Sequence, residues 1–105
     1  MSLSAAERKG LRGIGHHLHP IVQISDGGAS EGVIGELERA LSDHELVKIS
    51  IGLNDRSARK HTLDLLVEQT ACDIVQQLGK TALLYRRNPR ASARLSNVAR
   101  YSQRT

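Results

Sequence analysis

Hydrophobic residues in this chain follow two alternating spacings, which predict helices and strands in turn. The clearest example runs from residue 20 to residue 53. A short β-branched segment ends at the sequence S-D-G-G of residues 25–28, which predicts a strand followed by a tight turn. Ser30 is a favourable N-cap residue, and apolar residues then recur every three to four positions up to Leu41, as on one face of a helix. From Val47 the spacing becomes two, which predicts a second strand.

Further elements are predicted on both sides of this unit. A capping box at residues 4–7 begins a first helix that ends near Gly15. Asn54-Asp55 caps a third helix. Two short strands, at residues 74–78 and 81–86, flank Gly79-Lys80, which suits a type II′ hairpin that directs the lysine outward. The predicted order is therefore α-β-α-β-α-β-β.

This order predicts an α/β fold of two layers, with helices covering a four-stranded mixed sheet. A length of 105 residues suits one domain with a single core. We assign residues 1–88 to that domain. Residues 89–105 are rich in arginine and serine and poor in apolar residues, so we expect a basic tail that is flexible or marginally helical.

The composition of the chain indicates its cellular compartment and whether to expect a membrane segment or a metal site. A single cysteine, Cys72, cannot form an internal disulfide, which favours a reducing cytoplasm. The N-terminus lacks the apolar segment of a signal peptide, and no apolar run approaches the roughly 20 residues that span a bilayer, so we expect no membrane association. Three histidines at positions 16, 17 and 19 suggest zinc, but neighbouring ligands in an extended segment rarely converge on one ion. We expect polar or phosphate-contacting histidines instead, without metal or cofactor.

Charge is distributed unevenly along the chain. The net charge is +2 for residues 1–24, −5 for residues 25–79 and +7 for residues 80–105, which together give the formal +4. Clustered Lys and Arg are typical of nucleic-acid binders because they displace the counterions condensed on phosphates. A basic tail that only keeps the protein in solution is the alternative.

Four motifs, in order along residues 2–88, resemble the bacterial YhbY family. They are L-x-G-x-x-H-x-L-x-P-I-V at residues 11–22, S-E-G-V at 30–33, A-L-x-x-H-E-L-V-K-I at 40–49 and G-K-T-x-L-L-Y-R at 79–86. Members of that family are stand-alone forms of the CRM domain, the chloroplast RNA splicing and ribosome maturation module. The tail after Pro89 is outside the resemblance.

The resemblance implies a fold like the C-terminal domain of translation initiation factor 3, RNA binding, and association with precursors of the large ribosomal subunit. The family's G-x-x-G loop maps onto residues 25–28, with two departures. Ser25 replaces the first glycine, and Asp26 stands where the family often has a basic residue. An acid at this position either repels phosphate or turns inward as an Asx cap.

We therefore expect a non-enzymatic monomer that binds rRNA in a large-subunit precursor and assists ribosome assembly. Without Phe or Trp, recognition should depend on RNA shape more than on base stacking. The candidate RNA-binding residues are Ser25, Asp26, Gly27, Gly28, Arg8, Lys9, Arg12, Lys80, Arg86 and Arg87. Two alternatives remain: an RNA-processing enzyme with histidine acid/base chemistry, and an assembly factor that contacts proteins through its acidic middle, residues 25–79.

Overall fold

The chain forms eight helices and strands within residues 3–102, which the structure, a computed structural model, describes. They are α1 (Ala5–Gly15), β1 (Pro20–Ile24), α2 (Glu31–His44), β2 (Leu46–Ile51), α3 (Arg56–Thr70), β3 (Asp73–Leu78), β4 (Thr81–Tyr85) and α4 (Asn97–Ser102). The first seven confirm the predicted order, and α4 is an addition. None of the helices in this part of the chain is long and apolar enough to cross a bilayer.

Three helices begin at the capping residues that the sequence indicated. At α1 the Glu7 N–H donates to Ser4 Oγ at 3.1 Å, and the Ser4 N–H donates to Glu7 Oε1 at 3.0 Å, which completes the capping box. Ser30 accepts the Val33 N–H at the start of α2. Asp55 caps α3 in the same way. Each cap satisfies an N–H group that has no acceptor within its own helix.

The four strands form one mixed sheet in the order β1-β2-β4-β3. β1 and β2 are parallel because the crossover helix α2 joins them, whereas β4 is antiparallel to both of its neighbours. Gly79, at φ +56°, and Lys80 make the β3–β4 turn, and the positive φ suits the first position of a type II′ turn. The predicted α/β fold with a four-stranded mixed sheet is confirmed.

The main core lies between one face of the sheet and helices α2 and α3. Alternate residues of each strand point into it, so the spacing of two that begins at Val47 places that side chain in the core and Lys48 on the other face. Burying each large aliphatic side chain contributes about 1.5–3 kcal/mol. The largest fully buried side chains of the main core are those of Ile24, Leu37, Leu41, Ile49, Ile51, Leu63, Leu66 and Leu84.

A smaller core lies on the opposite face of the sheet, under α1 and α4. It contains Leu11, Leu46, Val75 and Leu83. Gly15 lets α1 approach the sheet closely, since a Cβ at this position would lie 2.5 Å from Leu83 Cδ2. Helices therefore cover both faces of the sheet, where the sequence suggested two layers. Leu46 and Leu83 show the difference, because each is buried on the face of the sheet opposite the main core.

The segment after Pro89, which we expected to be flexible or marginally helical, contains one further helix. Residues 97–102 form α4, which packs against α1 and β2. Asn97 Nδ2 donates to the Leu46 carbonyl at 2.7 Å, and Ser96 Oγ donates to Glu45 Oε1 at 2.7 Å. Ser96 and Asn97 are both buried. Ser96 and Asn97 hold this segment through polar contacts, which a pattern of hydrophobic residues does not show. The sequence therefore did not indicate this packing. Residues 103–105 of the predicted tail lie outside the described residues.

Candidate functional site

The S-D-G-G segment forms a tight turn between β1 and α2. The Gly28 N–H donates to the Ser25 carbonyl at 2.9 Å, and Gly28 has φ +63°, a conformation that glycine adopts without strain. Asp26 is exposed, and its carboxylate makes no hydrogen bond or ion pair within residues 3–102. An Asx cap therefore does not explain this acid. The turn leads directly into α2, whose first N–H groups have no intrahelical acceptor.

Two further connections meet this turn at the same edge of the sheet. The Gly52 N–H donates to the Ile24 carbonyl at 2.7 Å, which joins the ends of the parallel strands β1 and β2. The Ile51 N–H donates to the Lys80 carbonyl at 2.7 Å, which brings in the β3–β4 turn. We call this region the loop edge: residues 25–30, 52–56 and 79–80. It brings together segments that lie up to 55 residues apart in sequence.

A basic cleft of about 480 Å³ opens at the loop edge, between the start of α3 and the β3–β4 turn. Its lining residues are Arg56, Arg59, Lys60, Gln77 and Gly79. Arg59 is held in place because its guanidinium donates to the Leu53 and Asn54 carbonyls at 2.9 and 3.0 Å. Lys60 pairs with Asp64 at 3.5 Å, but both side chains are mostly exposed, so water screens the pair.

The sequence pattern did not indicate Arg56, Arg59 and Lys60 as candidate RNA-binding residues. They lie within residues 25–79, whose net charge is negative, so the charge of the whole segment did not indicate a basic surface. A local signal was present, since three of the five residues 56–60 are basic and directly follow the N-cap of α3. Only the fold shows that Lys80 reaches the same region, where its Nζ donates to Asn54 Oδ1 at 2.9 Å.

The cations predicted on α1 lie elsewhere. This helix packs on the second face of the sheet. The Arg8 guanidinium donates to the Ile74 carbonyl and, at 3.2 Å, to the Val75 carbonyl. These carbonyls lie where the pairing of β3 with β4 shifts register. Arg8 therefore donates to carbonyl acceptors at a point where the hydrogen bonds between the strands are irregular. Lys9 is exposed and Arg12 is half-buried on the same helix.

Arg86 has a structural role that the sequence did not indicate. Its guanidinium donates to Glu38 Oε2 and the Thr70 carbonyl, each at 2.8 Å. It also donates to the Glu38 carbonyl and to Ser42 Oγ, so it ties the end of β4 to α2 and α3. Arg87 is exposed at the same end of β4, opposite the loop edge. Of the predicted residues, the structure therefore brings together only residues 25–28 and Lys80.

Comparisons with known proteins agree with this fold. Residues 3–86 match the sequence profile of the CRS1/YhbY (CRM) domain. The chain belongs to the CRM family. A probable RNA-binding protein of Pseudomonas aeruginosa is 45% identical over 102 residues, which cover 97% of this chain and 98% of that protein. An RNA-binding protein of Haemophilus influenzae is 35% identical over 94 residues, which cover 90% and 95%.

A solved structure is also similar. The solution structure of a hypothetical Staphylococcus aureus protein, described as a candidate RNA-binding protein, superimposes with a TM-score of 0.74 at 28% identity, and the match covers 87% of this chain and 95% of that one. The CRM profile ends at residue 86, so Ser96 and α4 lie outside the residues that it matches.

The surroundings of Cys72, the one cysteine of this CRM protein, make its thiol unreactive. Burial raises the pKa of the Cys72 thiol above its ordinary value, and a buried protonated thiol is a poor nucleophile. Within residues 3–102, no three His, Cys, Asp or Glu side chains lie close enough together to hold a metal ion. The loop edge thus offers backbone N–H groups and cations, which suit an anionic polymer.

Proposed function

We propose that this CRM protein binds structured RNA through the loop edge. One observation carries the proposal: the glycine turn, the start of α2 and a basic cleft share one edge of the sheet. We infer that one RNA backbone contacts all three. The names of the relatives support RNA as the partner. The absence of Phe and Trp from the sequence favours recognition of RNA shape.

The N–H groups at the start of α2 and in the turn would meet one phosphate. The backbone N–H groups of Glu31 and Gly32 have no acceptor within the helix, and together with the helix dipole they favour an anion at this point. The Gly28 N–H is already used within the turn, so Gly27 is the better donor in the loop itself. Asp26 weakens this contact because its exposed carboxylate repels phosphate.

Cations of the basic cleft would neutralise the phosphates that follow. Arg56, Lys60 and Lys80 are exposed, and each contact to a phosphate releases counterions. Lys9, Arg12 and Arg87 lie farther away and remain candidates for outer contacts of a larger RNA. Arg8 and Arg86 are committed to hydrogen bonds within the fold.

The RNA we propose is rRNA in a precursor of the large ribosomal subunit, and the role is to assist its assembly in the cytoplasm. The family resemblance supports this setting. We further propose that the protein acts as a monomer and without catalysis, by binding RNA passively.

Salt dependence tests the proposal. Affinity for a structured rRNA fragment should fall by about tenfold or more between roughly 50 and 200 mM salt, since several phosphates are contacted. Arg56→Gln should weaken binding and reduce the salt slope by about one. Arg39→Gln is the matched control, because Arg39 is also an exposed helical arginine but lies outside the loop edge. Flat salt dependence, or equal effects of both variants, would refute the loop edge as the RNA interface.

A further inference from the structure

A second cleft, of about 230 Å³, lies outside the loop edge. The connection between α1 and β1 forms one wall, and α4 forms another, while β1, β2 and the end of α2 complete it. We call it the histidine cleft. The residues that matter for its chemistry are His17, His19, Ile21, His44, Lys48 and Arg100. No Asp or Glu is among its described lining residues.

Lys48 is the central cation of the histidine cleft. It lies in the middle of β2, half-buried on the face opposite the main core. Within residues 3–102 its side chain makes no hydrogen bond or ion pair. A lysine that is partly withdrawn from water without a carboxylate partner loses hydration and gains no compensating charge. Such a position favours an external anion.

Apolar surface lies beside this cation. Ile21 is 48% exposed, and Leu18 lines the same cleft. His44 is held at its rim, because its Nδ1–H donates to the Leu95 carbonyl at 2.8 Å. Imidazole rings can stack on nucleobases, and His19 is exposed. The cleft therefore combines a cation for phosphate with flat and apolar groups for a base.

We propose that the histidine cleft binds one unpaired RNA nucleotide, with its phosphate at Lys48 and its base against Ile21 and the histidines. The inference rests on the proposed RNA-binding function but concerns a separate site. The CRM profile ends at residue 86, and α4, which closes the cleft, lies beyond it. The site would let this protein select RNA with a single-stranded segment beside the structured region that the loop edge contacts.

Two RNAs test the proposal: a blunt hairpin, and the same hairpin with a short unpaired overhang. The full-length protein should bind the overhang form about tenfold more tightly, the effect of one well-stacked base with its phosphate. Lys48→Gln and Ile21→Asp should each remove most of this difference and leave affinity for the blunt hairpin nearly unchanged. Ile21→Thr, which keeps the β-branched shape, serves as a second variant if the aspartate disturbs β1.

Matched controls separate this site from the loop edge. Leu65→Asp makes the same chemical change as Ile21→Asp at an exposed apolar residue of α3, and the overhang preference should survive. Lys60→Gln, in the basic cleft, should weaken both RNAs equally. In an NMR titration, adenosine monophosphate should shift the amide signals of residues 17–19, 21 and 47–48 more than inorganic phosphate does.

The outcomes are distinct. Tight binding of the blunt hairpin with no gain from the overhang would overturn the histidine cleft and leave the proposed function intact. An overhang preference that persists in both Lys48→Gln and Ile21→Asp would also overturn it. Failure to bind either RNA would refute the proposed function itself.

Discussion

Replacing Arg86 by methionine should destabilise the protein strongly. The Arg86 side chain is 22% exposed, and its guanidinium donates four hydrogen bonds. Methionine keeps most of the aliphatic stem but removes the guanidinium. The Thr70 carbonyl then loses this donor at the end of α3, and Ser42 Oγ loses its donor on α2. One substitution therefore loosens the junction between β4 and two helices.

The magnitude follows from these contacts. A hydrogen bond to a charged group contributes about 1.5–3 kcal/mol, and bonds made by one side chain are not additive. Glu38 is 42% exposed, so water screens its ion pair with Arg86 and the pair adds less than about 1 kcal/mol. We expect a total loss of about 3 kcal/mol. For a domain of this size, that lowers Tm by about 12 °C.

Urea unfolding followed by circular dichroism measures this loss, since the chain has no Trp. The matched control is Arg87→Met, one residue further along the chain, where the side chain is exposed. Its midpoint should stay close to that of the parent. RNA affinity of the Arg86 variant should be nearly normal at a temperature where it is folded.

The reverse result would refute the structural role of Arg86. If Arg86→Met unfolds at the parent's urea midpoint and binds RNA much more weakly, then the guanidinium is free to meet phosphate, as the sequence alone suggested. Equal destabilisation by Arg86→Met and Arg87→Met would show that the effect comes from net charge and not from the hydrogen bonds.

Three further predictions concern other parts of the fold. Asn97→Ala should lower the free energy of unfolding by about 2 kcal/mol, because the buried Leu46 carbonyl loses its donor. Arg94→Ala, at an exposed residue, is the control. If both variants unfold at the same urea midpoint, α4 is not docked. Burial raises the pKa of Cys72, so the folded state holds this proton more tightly and stability should fall as pH rises above about 9. Cys72→Ala should reduce this fall, measured by urea titrations at pH 8 and 10. The part of the fall that persists should come from Tyr85, because burial also raises its pKa. Gly28→Glu should cost about 1 kcal/mol at its positive φ and weaken RNA binding; normal affinity would show that the turn is not a contact site.

Near neighbours in the sequence determined the elements of this protein and the position of its glycine turn. A serine three residues before its N–H partner caps α1 and α2, and the change of hydrophobic spacing at Val47 marks β2. The glycine turn could be predicted for the same reason, since a positive φ at Gly28 is a local requirement. These signals act within a few residues and can be recognised without knowing the fold.

Only the tertiary structure decided which cations share a surface and which are used for folding. Arg56 and Lys80 reach one edge because β2 and β4 pair, although 23 positions separate them in the sequence. Arg86 and Asn97 donate to backbone carbonyls, and every residue type provides the same carbonyl acceptor. A side chain that binds distant backbone therefore has no recognisable partner in the sequence, and an arginine bound to carbonyls is indistinguishable there from one that awaits a phosphate.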